Sequence, residues 1–283
     1  IEIGGQRIDK HTSMWNRVYS DLTEFNPSGH FGGDDPASGA GDVAAKNGTL
    51  YQLMTGNGYG LNSEKTLSSY TLEKISAQIV EAVNQPAIYA GWSLGGLIAT
   101  QIAKTEQALD QKVLGLITIA SSPKFTEQES LQDDTFWPGI KPTLLAAFHQ
   151  QLAQDTKKTI DGFLKIQAMG SPHIRQDLKE IKSLIFKYDM PSESTLNSSL
   201  NLLETVDLRE ALPLLTLPFF RLYGRLDSLV PNTINELVTS LAPTSDSHLF
   251  LQASHAPFIS HADEFFEVLM QWLIRYFPDS IVK

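Results

Sequence analysis

Apolar positions along this chain change their spacing several times, and the changes mark its elements. Leu72 to Val83 places Ile75, Ile79, Val80 and Val83 on one face, which predicts an amphipathic helix ended by Gln85-Pro86. Ala87-Ile88-Tyr89-Ala90 is a short continuous apolar run, followed by Gly96 to Ala103 with helical spacing. Val113 to Ala120 is apolar throughout and predicts a strand buried on both faces. The alternation returns near the C-terminus. Pro218–Tyr223 reads as a strand, Asn232–Leu241 as a helix, Ser247–Leu251 as a strand and Ala262–Tyr276 as a closing helix. Buried strands alternating with helices predict an α/β fold, a mostly parallel central sheet flanked by helices.

Between these two stretches, residues 122–207 lose the strand signal and become polar and helical, with proline breaks at Trp137-Pro138 and Met190-Pro191. They read as a helical cap inserted between core segments 1–121 and 208–283. The first 60 residues are less legible. Thr12 to Phe25 spaces Trp15, Val18, Tyr19 and Leu22 as a helix, Asn26 to Gly48 reads as a long loop, and Leu50–Met54 as a strand before the turn-rich Gly56–Gly60. Asp34, Asp35 and Asp42 lack the spacing of a calcium loop.

Composition narrows the function classes. The 283 residues include 42% hydrophobic positions, enough for a full core. No apolar run reaches the roughly 18 residues of a membrane span, and Ile1-Glu2-Ile3-Gly4-Gly5 does not read as a secretory signal. A cytoplasmic monomer is the default expectation. The absence of cysteine removes thiolate chemistry and cysteine-ligated zinc, and a net charge of −10 argues against nucleic acid. No cofactor or metal is expected.

Candidate chemistry begins at Gly91-Trp92-Ser93-Leu94-Gly95, a Gly-x-Ser-x-Gly turn set between a predicted strand and a predicted helix. That context marks a nucleophile elbow, with the serine in a strained conformation and the N–H of Leu94 aimed at a developing oxyanion. A serine hydroxyl needs a base, and the base needs a group that sets its tautomer. Asp227 follows the Phe219–Tyr223 strand, and His255 follows the Leu249–Leu251 strand. Asp227 by itself reads equally as a turn aspartate, and His255 by itself as a hydrogen-bonded loop histidine. Together, in the order Ser, Asp, His at successive strand ends, they predict nucleophile Ser93, general base His255 and orienting carboxylate Asp227. His261 is the nearest competitor for the base.

The elbow, with Ala120-Ser121-Ser122-Pro123, Trp137–Pro142, Phe163–Gly170, Thr205–Arg209, Arg221–Asp227 and His255–His261, resembles the pimeloyl-acyl-carrier-protein methyl ester esterases of biotin synthesis, within the α/β-hydrolase fold. The resemblance runs from about Thr71 to the C-terminus. It implies a serine carboxylesterase that removes one methyl ester while the acyl chain stays on an acyl carrier protein. It also implies substrate contacts from Trp92 and from Phe163, Leu164, Lys165, Ile166 and Gln167. Trp92, Phe163 and Ile166 read equally well as packing between cap and sheet.

Charge bears on the partner. Between Lys157 and Lys187, seven basic residues face three acids, a local net charge of +4 in an acidic chain. Arg175, Lys179 and Lys182 share one helical face, and such a face steers an acidic partner. The family's carrier-docking positions fall on Lys158, Arg175 and Lys179, with Gly162 where the family can carry another arginine. A solvated helix face is the plain alternative. The N-terminus departs from the family: no His-Gly loop precedes Trp15, and counting back places the second oxyanion donor at the amide of Ile8. Two other functions stay open, a broad short-chain carboxylesterase and a non-catalytic binder on the same fold.

Overall fold

The computed structural model describes residues 69–83, 86–107, 113–129, 136–185 and 191–278, and within the first 68 residues four strands. Those four are β1 (Glu2–Ile3), β2 (Gln6–Arg7), β3 (Ala40–Ala44) and β4 (Leu50–Met54), paired antiparallel as β1 with β2 and β3 with β4. The segment 26–48 is therefore not loop throughout, because Ala40–Ala44 pairs with Leu50–Met54. A run of small and acidic residues hid a strand that only its partner makes favourable. The helix read over Thr12–Phe25 and the turn at Gly56–Gly60 lie outside the described residues.

The main sheet has four parallel strands, β5 (Ala87–Trp92), β6 (Val113–Ile119), β9 (Phe219–Gly224) and β10 (Asp246–Phe250), in the order β10-β9-β6-β5. Every residue of β9 is buried, as expected of a parallel strand covered on both faces. Side chains alternate along it. Phe219 and Tyr223 join one apolar cluster with Leu97, Leu116, Ile234 and Val238. Phe220 and Leu222 join another with Ile117, Phe250, Phe265 and Trp272. The two clusters are the two sides of the sheet, separated by the period of two. Arg221 falls on the first side. Its guanidinium is buried and donates to Asn235, Thr239 and Ser245, tying the strand to the helix Ile234–Leu241.

Helices α1 (Leu72–Ala82) and α2 (Leu94–Glu106) flank the elbow strand. Four more lie between β6 and β9: α3 (Pro142–Leu152), α4 (Thr156–Ala168), α5 (Ile174–Ile185) and α6 (Glu193–Thr205). Their starts are written locally. Proline opens α3, and Asp155 and Ser192 cap α4 and α6 by accepting the N–H of Lys158 and Thr195. Strand signal is not lost entirely here, since β7 (Gln128–Glu129) and β8 (Phe136–Trp137) form a short antiparallel pair. Two-residue strands fall below what periodicity can detect. The chain's departure and return meet where the Leu208 N–H donates to the Pro123 carbonyl at 2.8 Å. Helices α7 (Ile234–Leu241), α8 (Pro257–Ser260) and α9 (Ala262–Tyr276) complete the described residues. No helix among them is long and apolar enough to cross a membrane.

Candidate active site

Ser93 sits between β5 and α2 with φ 54° and ψ −122°, a conformation that costs a side-chain-bearing residue about 1–3 kcal/mol. Its surroundings hold it there. The Ser93 N–H donates to the Ile119 carbonyl at 2.9 Å, and the Ser93 carbonyl accepts from Gly96 N–H at 2.9 Å and from Ser121 Oγ at 2.8 Å. A Cβ on Gly91 would collide with the Gly95 carbonyl, and one on Gly96 with the Ser121 hydroxyl. The turn thus requires glycine at 91 and 96. At Gly95 a Cβ would meet no atom of the described residues within 4 Å. Leu94 opens α2, so its N–H is among those a helix leaves without an internal acceptor, at the positive end of the helix dipole.

His255 and Asp227 meet as the strand order predicts. His255 is fully buried, and its Nδ1 lies 2.7 Å from Asp227 Oδ2. The other carboxylate oxygen accepts backbone N–H groups of Leu229 at 2.8 Å and Val230 at 3.0 Å, which locks the Asp227 rotamer. A carboxylate only accepts, so Nδ1 carries the proton and Nε2 keeps its lone pair. That Nε2 is buried and has no hydrogen-bond partner among the described residues. Ser93 is half-buried, open to an incoming molecule.

The remaining predicted residues divide. Trp92 is half-buried, donates its indole N–H to the His255 carbonyl at 2.8 Å and packs edge-on against Phe258 at 5.2 Å. Phe163 packs edge-on against Phe148 at 5.4 Å and, like Ile166, borders the first apolar cluster. Leu164 is buried in the second cluster and Lys165 is exposed, so the five residues from 163 to 167 do not share one surface. Gln167 is buried, with Oε1 unpartnered among the described residues. Lys158, Arg175 and Lys179 are exposed. Lys182 is held 2.7 Å from Asp161; that hydrogen bond, with the charges of Lys182, Lys165 and Lys157, keeps the Asp161 carboxyl below its ordinary range. Ile8 lies outside the described residues. Sequence reasoning missed Ser121 and Ser254, whose partners are carbonyls distant in sequence.

A strained serine at the end of β5 and a buried His–Asp pair in the loops after β9 and β10 are the parts from which an acyl-transfer centre is built. Residues 25–262 match the model of the alpha/beta hydrolase fold. The chain belongs to the α/β-hydrolase family. Among its relatives are the pimeloyl-[acyl-carrier protein] methyl ester esterases of Citrobacter koseri, 42% identical over 211 residues, and of Salmonella paratyphi A, 45% identical over 213. Each alignment covers 75% of this chain and 79% of the relative. Solved structures of similar fold include the esterase EaEST from Exiguobacterium antarcticum, with TM-score 0.66, 22% identity, and coverage of 79% of this chain and 81% of that one. A bromoperoxidase from Bacillus anthracis superposes with TM-score 0.69 at 17% identity, covering 80% of this α/β-hydrolase and 82% of that chain. This α/β-hydrolase is a carboxylic ester hydrolase.

Proposed function

We propose that the protein hydrolyses the methyl ester of pimeloyl-acyl-carrier protein to pimeloyl-carrier protein and methanol, with Ser93, His255 and Asp227 as its triad. The observation that carries the site assignment is the buried Nδ1–Oδ2 pair at 2.7 Å, together with Ser93 held at φ 54° on the strand–helix turn. Ser93 Oγ attacks the ester carbonyl as its proton passes to His255 Nε2, and Asp227 stabilises the imidazolium through Nδ1–H. The oxyanion is met by the Leu94 N–H, with the Ile8 amide as the expected second donor. Methanol leaves with the proton from Nε2. Water, deprotonated by the same nitrogen, then attacks the acyl-serine and releases the acid and Ser93.

The relatives' printed name supports the carrier-bound substrate. In this reading residues 122–207 form the cap on a core of 1–121 and 208–283, and the exposed Lys158, Arg175 and Lys179 meet the acidic carrier. Trp92 walls the pocket beside the nucleophile, and of the expected cap contacts Phe163, Leu164, Lys165, Ile166 and Gln167, the half-buried Phe163 and Ile166 supply the apolar lining, Leu164 acting from the core. A cytoplasmic monomer without cofactor completes it. The burial of Leu164 favours one second reading, a broad short-chain carboxylesterase whose cap does not select the acyl chain. A non-catalytic binder would have no use for the complete triad.

Turnover of pimeloyl-carrier methyl ester against p-nitrophenyl butyrate tests this. Wild type is expected to prefer the carrier ester, and Ser93→Ala to lower turnover by on the order of 10⁶. Equal handling of both esters would leave the generalist reading, and an active Ser93→Ala would remove the triad.

A further inference from the structure

Three segments distant in sequence converge on one buried hydroxyl. Ser254, the residue before His255, is 3% exposed, and its Oγ donates to the carbonyls of Gln167 at 3.0 Å and Met169 at 2.7 Å. The His255 N–H adds a bond to the Gln167 carbonyl at 3.3 Å. Gln167 belongs to the last turn of α4 and Met169 is its C-cap, so these carbonyls stand among those that a helix end leaves unsatisfied. The loop carrying Asp227 closes on the same point. Its Leu226 N–H donates to the Ala253 carbonyl at 2.9 Å, and Gly224 lies so close to the Ser254 carbonyl that a Cβ would collide. From the other side Gly170, at φ 93°, approaches Leu226, where a Cβ would stand 2.8 Å from the carbonyl oxygen.

We infer that Ser254 is a positioning residue that fastens the base His255 to the C-terminal end of helix α4. The inference rests on reading Ser93, His255 and Asp227 as the triad. His255 is then fixed from three directions: its ring by Asp227, its carbonyl by the Trp92 indole, and its N–H with the neighbouring Ser254 hydroxyl by α4. The first two anchors come from the sheet edge and the third from the inserted helices. The helix that carries Lys158 and Phe163 at its start and middle therefore ends on the base. Displacing α4 displaces Nε2, and a vacant or swung-out α4 leaves the imidazole without one of its anchors.

Removing the hydroxyl loosens the base and leaves every side chain of α4 in place. Ser254→Ala is expected to lower kcat on p-nitrophenyl butyrate by about ten- to a hundredfold, the scale of a small misplacement of a reacting group. KM stays within about twofold, as for a loss felt only in the transition state. The low-field proton resonance of His255 Nδ1–H is expected to shift or broaden in the folded variant. A variant of Lys158 or Lys179 should instead raise KM for the carrier ester alone. Wild-type kcat and an unmoved resonance in folded Ser254→Ala would overturn the inference. If Ser254→Ala does not fold, Ser254→Gly and Ser254→Thr test the same clasp without and with a hydroxyl, and equal kcat in the two folded variants overturns it. Ser93→Ala run alongside separates the two failures: activity surviving in it removes the triad reading itself, whereas its loss beside an unaffected Ser254→Ala removes only the role of Ser254.

Discussion

Asp227 divides its two oxygens between tasks, Oδ1 on the Leu229 and Val230 backbone and Oδ2 on His255. An asparagine there keeps the backbone bonds through its carbonyl oxygen and turns its NH₂ toward Nδ1. Two donors cannot face each other, so the imidazole must move its proton to Nε2, the nitrogen that has to accept from Ser93. Asp227→Asn is expected to retain the fold and lose about 10⁴ in kcat, and Asp227→Ala to lose stability as well, because two buried N–H groups are then orphaned. Steady-state kinetics with thermal melts of both variants checks this. Equal kcat in wild type and Asp227→Asn would show that the tautomer does not matter. At this scale the positions of Ser93, Asp227 and His255, to which the proposed triad assigns its roles, were legible because each follows a recognisable strand. The anchors Ser121 and Ser254 were not, because a hydroxyl bound to a remote carbonyl leaves no periodic trace.

Among the elements, α4 combines the most demands: a capped start at Asp155, an exposed charged side, apolar contacts to both clusters and a C-terminal end on His255. Gly162 sits in its middle, and a Cβ there would meet no atom of the described residues within 4 Å. Glycine mid-helix wastes backbone entropy, so Gly162→Ala is expected to stabilise the protein by about 0.5–1 kcal/mol. Urea unfolding measures it, and a destabilised variant would mean that the glycine serves a close approach. The pattern marked residues 122–207 as helical, and the resemblance singled out Phe163–Gln167, yet neither gave this helix its bounds or its orientation. Phe163 and Leu164 are equally apolar in sequence, and only packing assigned them to different sides of the helix.

For the molecule as a whole, the inserted helices are joined to the sheet at a compact ionic junction. Arg209 chelates Asp207, donates to Gln128 and covers the Trp137 ring at 5.1 Å, while Lys124 Nζ lies 3.6 Å from Asp207. Partial burial pushes the Asp207 carboxyl up, but the side-chain and backbone hydrogen bonds from Arg209, with the charges of Arg209 and Lys124, outweigh it and hold it below the ordinary 3.8. A carboxylate depressed on folding contributes stability that is complete above its unfolded value and is lost as pH falls through the lower folded value. Arg209→Ala should therefore destabilise the protein more at pH 7 than at pH 3, and urea midpoints at the two pH values decide. A gap between wild type and variant that does not shrink on acidification would exclude Asp207 as the source.

What the sequence determined by itself was the alternation of the core and the candidate residues at its strand ends. Both rest on local rules: buried parallel strands are continuously apolar, and a Gly-x-Ser-x-Gly turn between strand and helix can hold a serine above the sheet. Sheet order, the pairing of Ala40–Ala44 with Leu50–Met54 and the requirement for glycine at position 96 were decided only in three dimensions. The same holds for the clasp of Ser254 on α4 and for the burial of His255 against Asp227. Each of these depends on a neighbour far away along the chain, and such contacts are fixed by packing and hydrogen-bond satisfaction across elements, which no local pattern encodes.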